Sequence, residues 1–345
     1  MRKGILLSLV AVAGTAAVFA FFGSSSVPQG QAFLQSNPID SMFSHYLAKY
    51  GKHYPTKEEY IRRRDLFAAQ FNWIQESNAR NGASYYVGLN RFSDLTEEEF
   101  QVYLGDNGQP DQVSTETETH SGHPLSQQEV VPIDWRTKGV VGPVKDQGHC
   151  GSCWSFSTIG PIEEHYAIKY GKQLVLAEQQ LVDCSWPYGN NGCNGGLFAN
   201  GYAYVKQYGA ELNSAYPYVA NDTACTYDSS KVAVRISGTI SAIRSADGLK
   251  AALMNGPASI SLHASQPSFR AYTGGIYNDA TCPTSVNHAV QSVGWGTEGG
   301  VNYFIVRNSW GPSWGDQGYI KIAETNTDLG ICGMLYRVPM QPIIV

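Results

Sequence analysis

The chain has 345 residues, more than one average domain, so it can bury a substantial core. A formal net charge of -5 and only 15% charged residues exclude the basic surface that nucleic-acid binding requires. The 7 cysteines all lie between Cys150 and Cys332, so in an oxidising compartment six would pair and one thiol would stay free.

The N-terminus predicts entry into the secretory pathway. Arg2 and Lys3 precede an uncharged apolar run over residues 5–22, as in a secretory signal peptide. We expect residues 1–23 to be a signal peptide that is removed. The alternative is an uncleaved signal anchor, because the run approaches membrane-spanning length. No later apolar stretch is long enough to cross a bilayer, so no membrane contact is expected after cleavage.

Residues 37–105 predict a helix, a second helix, a strand and a short helix. Pro55 and the capping-box pattern Thr56-x-x-Glu59 mark the start of the long second helix. Six residues spaced by three or four positions fall on one face of it: Glu59, Arg63, Phe67, Gln70, Ile74 and Asn78. Spacing alone favours an ordinary amphipathic helix.

The segment that follows changes this interpretation. A strand is predicted over residues 84–90, and a second capping box, Thr96-x-x-Glu99, comes next. Between them the chain reads Gly88-Leu89-Asn90-Arg91-Phe92-Ser93-Asp94. The long helix and this segment together resemble the inhibitory propeptide of papain-like cysteine proteases, although Gln70 stands where the family pattern has Asn.

This resemblance implies a propeptide over residues 24–129, with an intramolecular inhibitor domain at about 40–104. From 105 to 129 the composition shifts to polar residues and Gly, which predicts an exposed linker. Exposed backbone is where proteolysis concentrates, so maturation is expected around residues 128–131, giving a mature domain of 130–345. Protonation of paired propeptide carboxylates is expected to weaken inhibition in acid.

A cysteine-containing stretch follows, Gln147-Gly148-His149-Cys150-Gly151-Ser152-Cys153-Trp154. Cys153 is expected at a helix N-terminus, where N–H groups and the helix dipole favour a thiolate. Alone, Cys150-x-x-Cys153 could also be a redox pair or half of a zinc site. Trp154 follows the pair, no strand of a βαβ unit precedes it and no second such pair exists, so no metal or cofactor is expected. Cys-Gly-Ser-Cys-Trp is also the signature of papain and the cathepsins.

Pro161 lies inside the helix predicted to begin at Cys153. Proline lacks the N–H donor and crowds the carbonyl four residues earlier, at about 3 kcal/mol in a regular helix. A kink or break is therefore predicted at this position.

His288 is the expected partner of the thiol. It opens an apolar run over residues 289–294 that is typical of a strand, where a lone His is more often structural. A second predicted strand, 303–307, leads into Asn308-Ser309-Trp310. Asn308 could orient the imidazole while Trp310 shields their hydrogen bond from water. The order Cys, His, Asn is the papain-like order.

From residue 43 to 339 the chain thus resembles a papain-like cysteine protease. The resemblance implies an α+β fold of two lobes, one mainly helical and one β-barrel-like, with the active-site cleft between them. It implies a secreted, lysosomal or vacuolar monomeric endopeptidase that cleaves proteins and peptides through an acyl-enzyme thioester. Cys153 would attack, His288 would protonate the leaving amine, and Gln147 would help to bind the oxyanion. The implied disulfides are Cys150–Cys193, Cys184–Cys225 and Cys282–Cys332.

The segment after Cys193 matches the family's substrate-lining residues, whose glycines let a peptide backbone approach closely. We expect an apolar specificity pocket, although Leu335, Tyr336 or Arg337 could form its floor and Arg337 would favour an acidic side chain. The short spacing between Cys184 and Cys193 favours an endopeptidase. The residues expected to contact substrate or line this pocket are Gly195, Gly196, Leu197, Phe198, Ala258, Ser261, Val286, Asn287 and Trp310.

Two other functional classes remain open. One is a catalytically silent family member that acts as a binding or inhibitory protein, and the other is a thiol–disulfide oxidoreductase that uses Cys150 and Cys153. The pattern Gly294-x-Gly296-x-x-Gly299 matches a dinucleotide-binding fingerprint, but a strand follows it where a helix is needed. It therefore predicts a hairpin turn.

Overall fold

The computed structural model describes residues 38–80, 84–107, 118–119 and 131–345. The predicted signal peptide and most of the predicted maturation segment lie outside these residues. The helices are α1 (Pro38–Tyr50), α2 (Lys57–Arg80), α3 (Glu97–Phe100), α4 (Cys153–Tyr170), α5 (Glu178–Cys184), α6 (Phe198–Tyr208), α7 (Ala246–Leu253) and α8 (Pro267–Arg270). The strands are β1 (Tyr85–Val87), β2 (Glu118–Thr119), β3 (Ile133–Asp134), β4 (Ala210–Glu211), β5 (Val232–Val234), β6 (Ile236–Ser241), β7 (Ala258–Leu262), β8 (Tyr272–Tyr277), β9 (His288–Glu298), β10 (Val301–Arg307), β11 (Tyr319–Ala323) and β12 (Met340–Ile344).

The predicted mature domain consists of two lobes with separate apolar cores, which confirms the predicted α+β class. In the helical lobe, α4, α5 and α6 pack around a core that includes Trp154, Leu181 and Val205. In the other lobe, the main sheet has the order β1-β8-β11-β10-β9-β7-β12-β6-β2, with β3 also paired to β9. Its core includes Ile260 and Phe304.

The β9–β10 hairpin accounts for the glycine-rich fingerprint. The strands pair in antiparallel register from Glu298↔Val301 onward. Gly299 and Gly300 form the turn, both with positive φ, a conformation that glycine adopts without steric cost. The predicted hairpin is confirmed, and the helix that a dinucleotide site needs does not follow it. Within the described residues, no helix is long and apolar enough to cross a membrane.

The predicted propeptide forms a small helical unit that extends the sheet of the predicted mature domain. Phe67 on α2 packs with Phe43 and Tyr46 of α1 into its core. The side-chain amide of Asn78 on α2 makes two hydrogen bonds to the backbone of Val87, at 2.8 and 3.0 Å. Strand β1 then pairs antiparallel with β8 of the mature domain. The predicted single face of α2 is therefore the face that binds the rest of the propeptide.

Helix α4 continues through Pro161 to Tyr170, so a break at the proline is not found. The proline removes the N–H that would bind the carbonyl of Ser157, four residues earlier. The hydroxyl of Ser259, from β7, donates to that carbonyl at 2.5 Å instead. A neighbouring strand thus satisfies the acceptor that the proline leaves unpaired.

Candidate active site

The two lobes each contribute one side of a buried thiol–imidazole site. Cys153 is the first residue of α4, and His288 is the first residue of β9. The backbone N–H of Ala289 lies 3.4 Å from the sulfur of Cys153, so the strand places the imidazole next to the helix N-terminus. Among the described residues, Cys153 is the free cysteine, and it is buried.

Asn308 and Trp310, the two residues expected from the sequence to hold His288, both contact its imidazole. Its Nε2 lies 2.8 Å from Oδ1 of Asn308, which accepts the hydrogen bond. The indole of Trp310 stacks on the imidazole with ring centroids 4.6 Å apart. The other ring nitrogen, Nδ1, is buried without a hydrogen-bond partner. This arrangement fixes the tautomer and leaves Nδ1 for proton exchange with a neighbouring group.

Burial keeps the thiol and the imidazole neutral in the precursor. It raises the pKa of Cys153 to about 12, although N–H groups of Ala289 and Gly105 favour the thiolate. Burial also lowers the pKa of His288 to about 4, although the hydrogen bond with Asn308 favours the charged form. A thiolate at Cys153 paired with a charged His288 is therefore not the favoured state while the propeptide covers the site.

Residues 103–107 of the propeptide cross the cleft directly over Cys153. The carbonyl of Tyr103 accepts a hydrogen bond from Nε2 of Gln147 at 3.0 Å. The backbone N–H of Gly105 lies close enough to the Cys153 sulfur to favour its thiolate form. The carbonyl of Gly105 accepts from the N–H of Gly196 at 2.8 Å. The bound segment thus occupies the cleft over the thiol and blocks the access of another chain to it.

The expectation that an exposed linker begins at residue 105 is wrong for Gly105 and Asp106, which are buried, whereas Asn107 is exposed. The backbone N–H of Asp106 donates to the carbonyl of Asn287 at 3.0 Å, and Asp106 forms a parallel bridge with Gly196. The side chain of Asp106 is fully buried. Polar composition predicted exposure here, but a partner in the mature domain makes burial favourable.

That partner is Arg337, which forms the floor of a pocket beside the thiol. Its guanidinium binds the carboxylate of Asp106 through Nε at 2.8 Å and Nη2 at 2.5 Å. The hydroxyl of Ser261, from β7, donates to the same carboxylate at 2.5 Å. Of the three residues left open for the pocket floor, Arg337 has a side chain that binds the propeptide segment, and its charge departs from the apolar lining expected from the sequence. Leu335 instead packs in the core of the sheet lobe.

Gln147 has its amide oriented by a residue that sequence reasoning missed. Its Oε1 accepts a hydrogen bond from the hydroxyl of Ser309 at 2.6 Å. This turns Nε2 toward the cleft, where it donates to Tyr103 and to the carbonyl of Cys150. Ser309 lies between Asn308 and Trp310, and its position in this short motif could have identified it from the sequence.

The other expected substrate residues separate into two groups. Gly195 adopts φ +110, and a Cβ there would lie 2.3 Å from the side chain of Asn107, so the glycine is needed for the bound segment to approach. Val286 is buried and Leu197 is half-buried beside Gly196. Phe198 and Ala258 pack in the cores of the helical and sheet lobes.

The disulfides have the implied pairing: Cys150–Cys193, Cys184–Cys225 and Cys282–Cys332. Because Cys150 is bonded to Cys193, it is not paired with Cys153, as a redox C-x-x-C site would require. The described residues contain no cluster of side chains that could hold a metal ion.

Comparisons with known proteins agree with this architecture. Residues 130–340 match the model of the papain family cysteine protease, and residues 43–100 match the cathepsin propeptide inhibitor domain. The chain is 42% identical to digestive cysteine proteinase 2 of Homarus americanus, over 84% of this chain and 91% of the relative. It is 38% identical to a cathepsin L-like proteinase of Fasciola hepatica, over 87% and 93% of the two chains. Digestive procathepsin L 3 of Tenebrio molitor superposes with a TM-score of 0.78 at 33% identity, covering 89% of this chain and 100% of that structure.

Proposed function

The chain belongs to the papain family of cysteine proteases and is made as a proenzyme with an inhibitory propeptide, and from this we propose that it is an endopeptidase whose nucleophile is Cys153 and whose base is His288. Asn308 orients the imidazole, and Gln147 donates to the oxyanion. The observation that carries the proposal is a peptide backbone bound across the thiol, with a carbonyl on the side-chain amide of Gln147.

The reaction follows from the groups around the thiol. Departure of the propeptide admits water and removes the burial that keeps both groups neutral, so the proton of Cys153 passes to Nδ1 of His288. The thiolate attacks the peptide carbonyl carbon, and the amide of Gln147 and the N–H of Cys153 bind the oxyanion. Collapse of this intermediate breaks the C–N bond while His288 gives its proton to the leaving amine. Water then hydrolyses the thioester, which regenerates the thiol and releases the carboxyl product.

Cleavage within chains is supported by the shape of the cleft. The propeptide passes across the thiol and continues on both sides, from Phe92 beside Trp310 to Asp106 beside Arg337. A cleft open at both ends accepts the middle of an extended chain. The segment between Cys184 and Cys193 is short and carries two 3₁₀ turns, Trp186–Tyr188 and Gly192–Asn194.

The experiment compares the native precursor with its Cys153→Ala form. Both are incubated in acid with an unstructured protein, and the fragments are identified by mass spectrometry. The native chain is expected to mature and to give internal fragments, whereas Cys153→Ala stays intact and inactive. Equal cleavage by the alanine form would overturn the proposal, and release of terminal residues alone would overturn the endopeptidase assignment.

Three disulfides also support function in an oxidising compartment. We therefore infer a protein of the secretory pathway that acts in the lysosome or vacuole or outside the cell, as a monomer. Fractionation of expressing cells and size-exclusion chromatography of the mature domain test the two statements. Recovery of the chain in the cytosol, or as a dimer, would contradict them.

A further inference from the structure

The pocket beside the thiol contains a buried ion pair between the propeptide and the mature domain. Asp106 and Arg337 have side chains that are 0% and 1% exposed. The carboxylate accepts two hydrogen bonds from the guanidinium and a third from the hydroxyl of Ser261. A planar guanidinium that binds both oxygens of a carboxylate gives direction as well as strength to the contact.

The backbone on either side places this pocket in register with the thiol. The N–H of Gly105 lies near the Cys153 sulfur, and Asp106 is the next residue. Asp106 donates its own N–H to the carbonyl of Asn287, and the carbonyl of Gly105 accepts from Gly196. In an extended chain bound over the thiol, the residue next to the one at the sulfur therefore places its side chain in this pocket.

The mature domain supplies both pocket groups from rigid elements. Ser261 lies in β7, which pairs with β9 from Leu262↔His288 onward. Arg337 lies between β12 and the 3₁₀ turn Ile331–Gly333, which contains Cys332 of the Cys282–Cys332 disulfide. Removal of the propeptide therefore leaves the guanidinium and the hydroxyl in the pocket.

We propose that Arg337 and Ser261 make the mature enzyme select an acidic side chain, and that Asp106 is the propeptide's substitute for that side chain. The inference rests on the proposed endopeptidase function and adds its substrate class. An apolar side chain would cover the guanidinium without supplying an anion, and an unpaired buried charge is strongly unfavourable. An Asp or Glu side chain restores the bidentate contact.

The test uses the mature enzyme and fluorogenic peptides that are identical except at one position. Each position around the scissile bond is varied in turn to Asp, Glu, Asn and Leu, and kcat/KM is measured. We expect selection at a single position, a direct neighbour of the residue that supplies the scissile carbonyl, because Asp106 is the direct neighbour of Gly105 at the thiol. There Asp or Glu should exceed Asn and Leu by about tenfold or more, as for charge-assisted hydrogen bonds in a buried site.

The outcomes separate this inference from the proposed function. Cleavage of Leu peptides as fast as or faster than Asp and Glu peptides overturns the acidic pocket and leaves the endopeptidase standing. Absence of cleavage of every peptide by a folded, alkylatable enzyme overturns the endopeptidase, and the acidic pocket with it.

Two variants assign the selectivity to these side chains. Arg337→Gln should abolish the preference for Asp over Leu while cleavage of the Leu peptide persists, which also shows that the variant is folded. Ser261→Ala is a smaller change that should reduce the ratio of kcat/KM for the Asp peptide to kcat/KM for the Leu peptide severalfold, so it tests the assignment if Arg337→Gln does not fold. Arg244→Gln, at an exposed arginine whose Nη1 lies 3.4 Å from the carbonyl of Tyr336, is the matched control and should keep the native preference. An unchanged preference in both pocket variants would overturn the assignment.

Discussion

The backbone carbonyl of Tyr103 lies 3.0 Å from the side-chain amide nitrogen of Gln147, which donates a hydrogen bond to it. A propeptide carbonyl thus already occupies the donor that we assign to the oxyanion. The same group therefore serves inhibition in the precursor and catalysis in the mature enzyme. Removal of this amide should therefore affect both inhibition and catalysis.

Gln147→Ala should lower kcat of the mature enzyme by about 10²–10³-fold with a small change in KM, as for loss of one oxyanion donor. Ser309→Ala, which removes the hydroxyl that orients the amide, should cause a smaller loss, because Gln147 keeps its donor. Steady-state kinetics on one peptide, with thermal unfolding as the folding control, measure both effects. A Gln147→Ala enzyme with native kcat and a raised KM would show that the amide acts in binding alone.

Gly105→Ala should weaken inhibition by the propeptide. A Cβ at this position would lie 1.8 Å from the carbonyl oxygen of Gly151, so the bound segment must move away from the thiol. Overpacking of this kind costs about 1–3 kcal/mol, which corresponds to about fivefold to 150-fold faster alkylation of Cys153 in the intact precursor. Gly142→Ala, where a Cβ meets open space, is the control. Equal alkylation rates in the two variants would contradict the contact.

Ser259→Ala should destabilise the precursor by about 1–3 kcal/mol, because it leaves the buried carbonyl of Ser157 without a donor. The penalty should fall by about 1 kcal/mol when Pro161 is also replaced by Ala, since the restored N–H can bind that carbonyl. Urea unfolding of the four combinations in an inactive Cys153→Ser background measures this coupling. Ser259→Ala also removes the hydrogen bond between Ser259 and Tyr202. This bond is lost both with Pro161 present and in the Pro161→Ala variant, so its contribution cancels when the two penalties are compared. An equal penalty in both backgrounds would refute this explanation of the unbroken helix.

Glu99 gives the propeptide a dependence on pH below about 4. Partial burial alone would raise the pKa of Glu99, but hydrogen bonds from Arg63, the Thr96 N–H and Arg62 outweigh it and lower this pKa to about 2. A carboxyl with a depressed pKa stabilises the fold above its unfolded pKa of about 4.3, and this stability is lost as pH falls toward 2. Solvent screening of the half-buried pair reduces the expected loss to about 1 kcal/mol.

Unfolding of the inactive Cys153→Ser precursor between pH 5 and pH 2 measures this slope (both limits bracket, roughly, the titration of a carboxyl group). Glu99→Gln should flatten it, whereas the exposed Glu58→Gln should not. An unchanged slope in Glu99→Gln would show that the ion pair is not the source. At about pH 4.5 most of the contribution remains, so Glu99 by itself does not explain activation in mild acid.

The sequence alone was sufficient to predict the features of the fold and the site that short local motifs specify. Cys153, His288 and Asn308 stand in local patterns whose residue types have few other uses, and the structure brings them together. The capping box at Thr96 and Glu99 is present with both of its hydrogen bonds, because capping depends on residues three positions apart. The two lobes were implied by the resemblance to papain-like cysteine proteases.

Only the tertiary structure decided the contacts between distant residues. Asp106 and Arg337 are 231 residues apart in sequence, and nothing local distinguishes Arg337 from Leu335 or Tyr336 as the pocket floor. The polar composition after residue 104 predicted exposure, yet one ion pair makes burial of Asp106 favourable. Helix α4 continues through Pro161 because a serine from another lobe supplies the missing donor. Local propensity is set by neighbours along the chain, whereas burial of charge and of unpaired acceptors depends on the partners that folding provides.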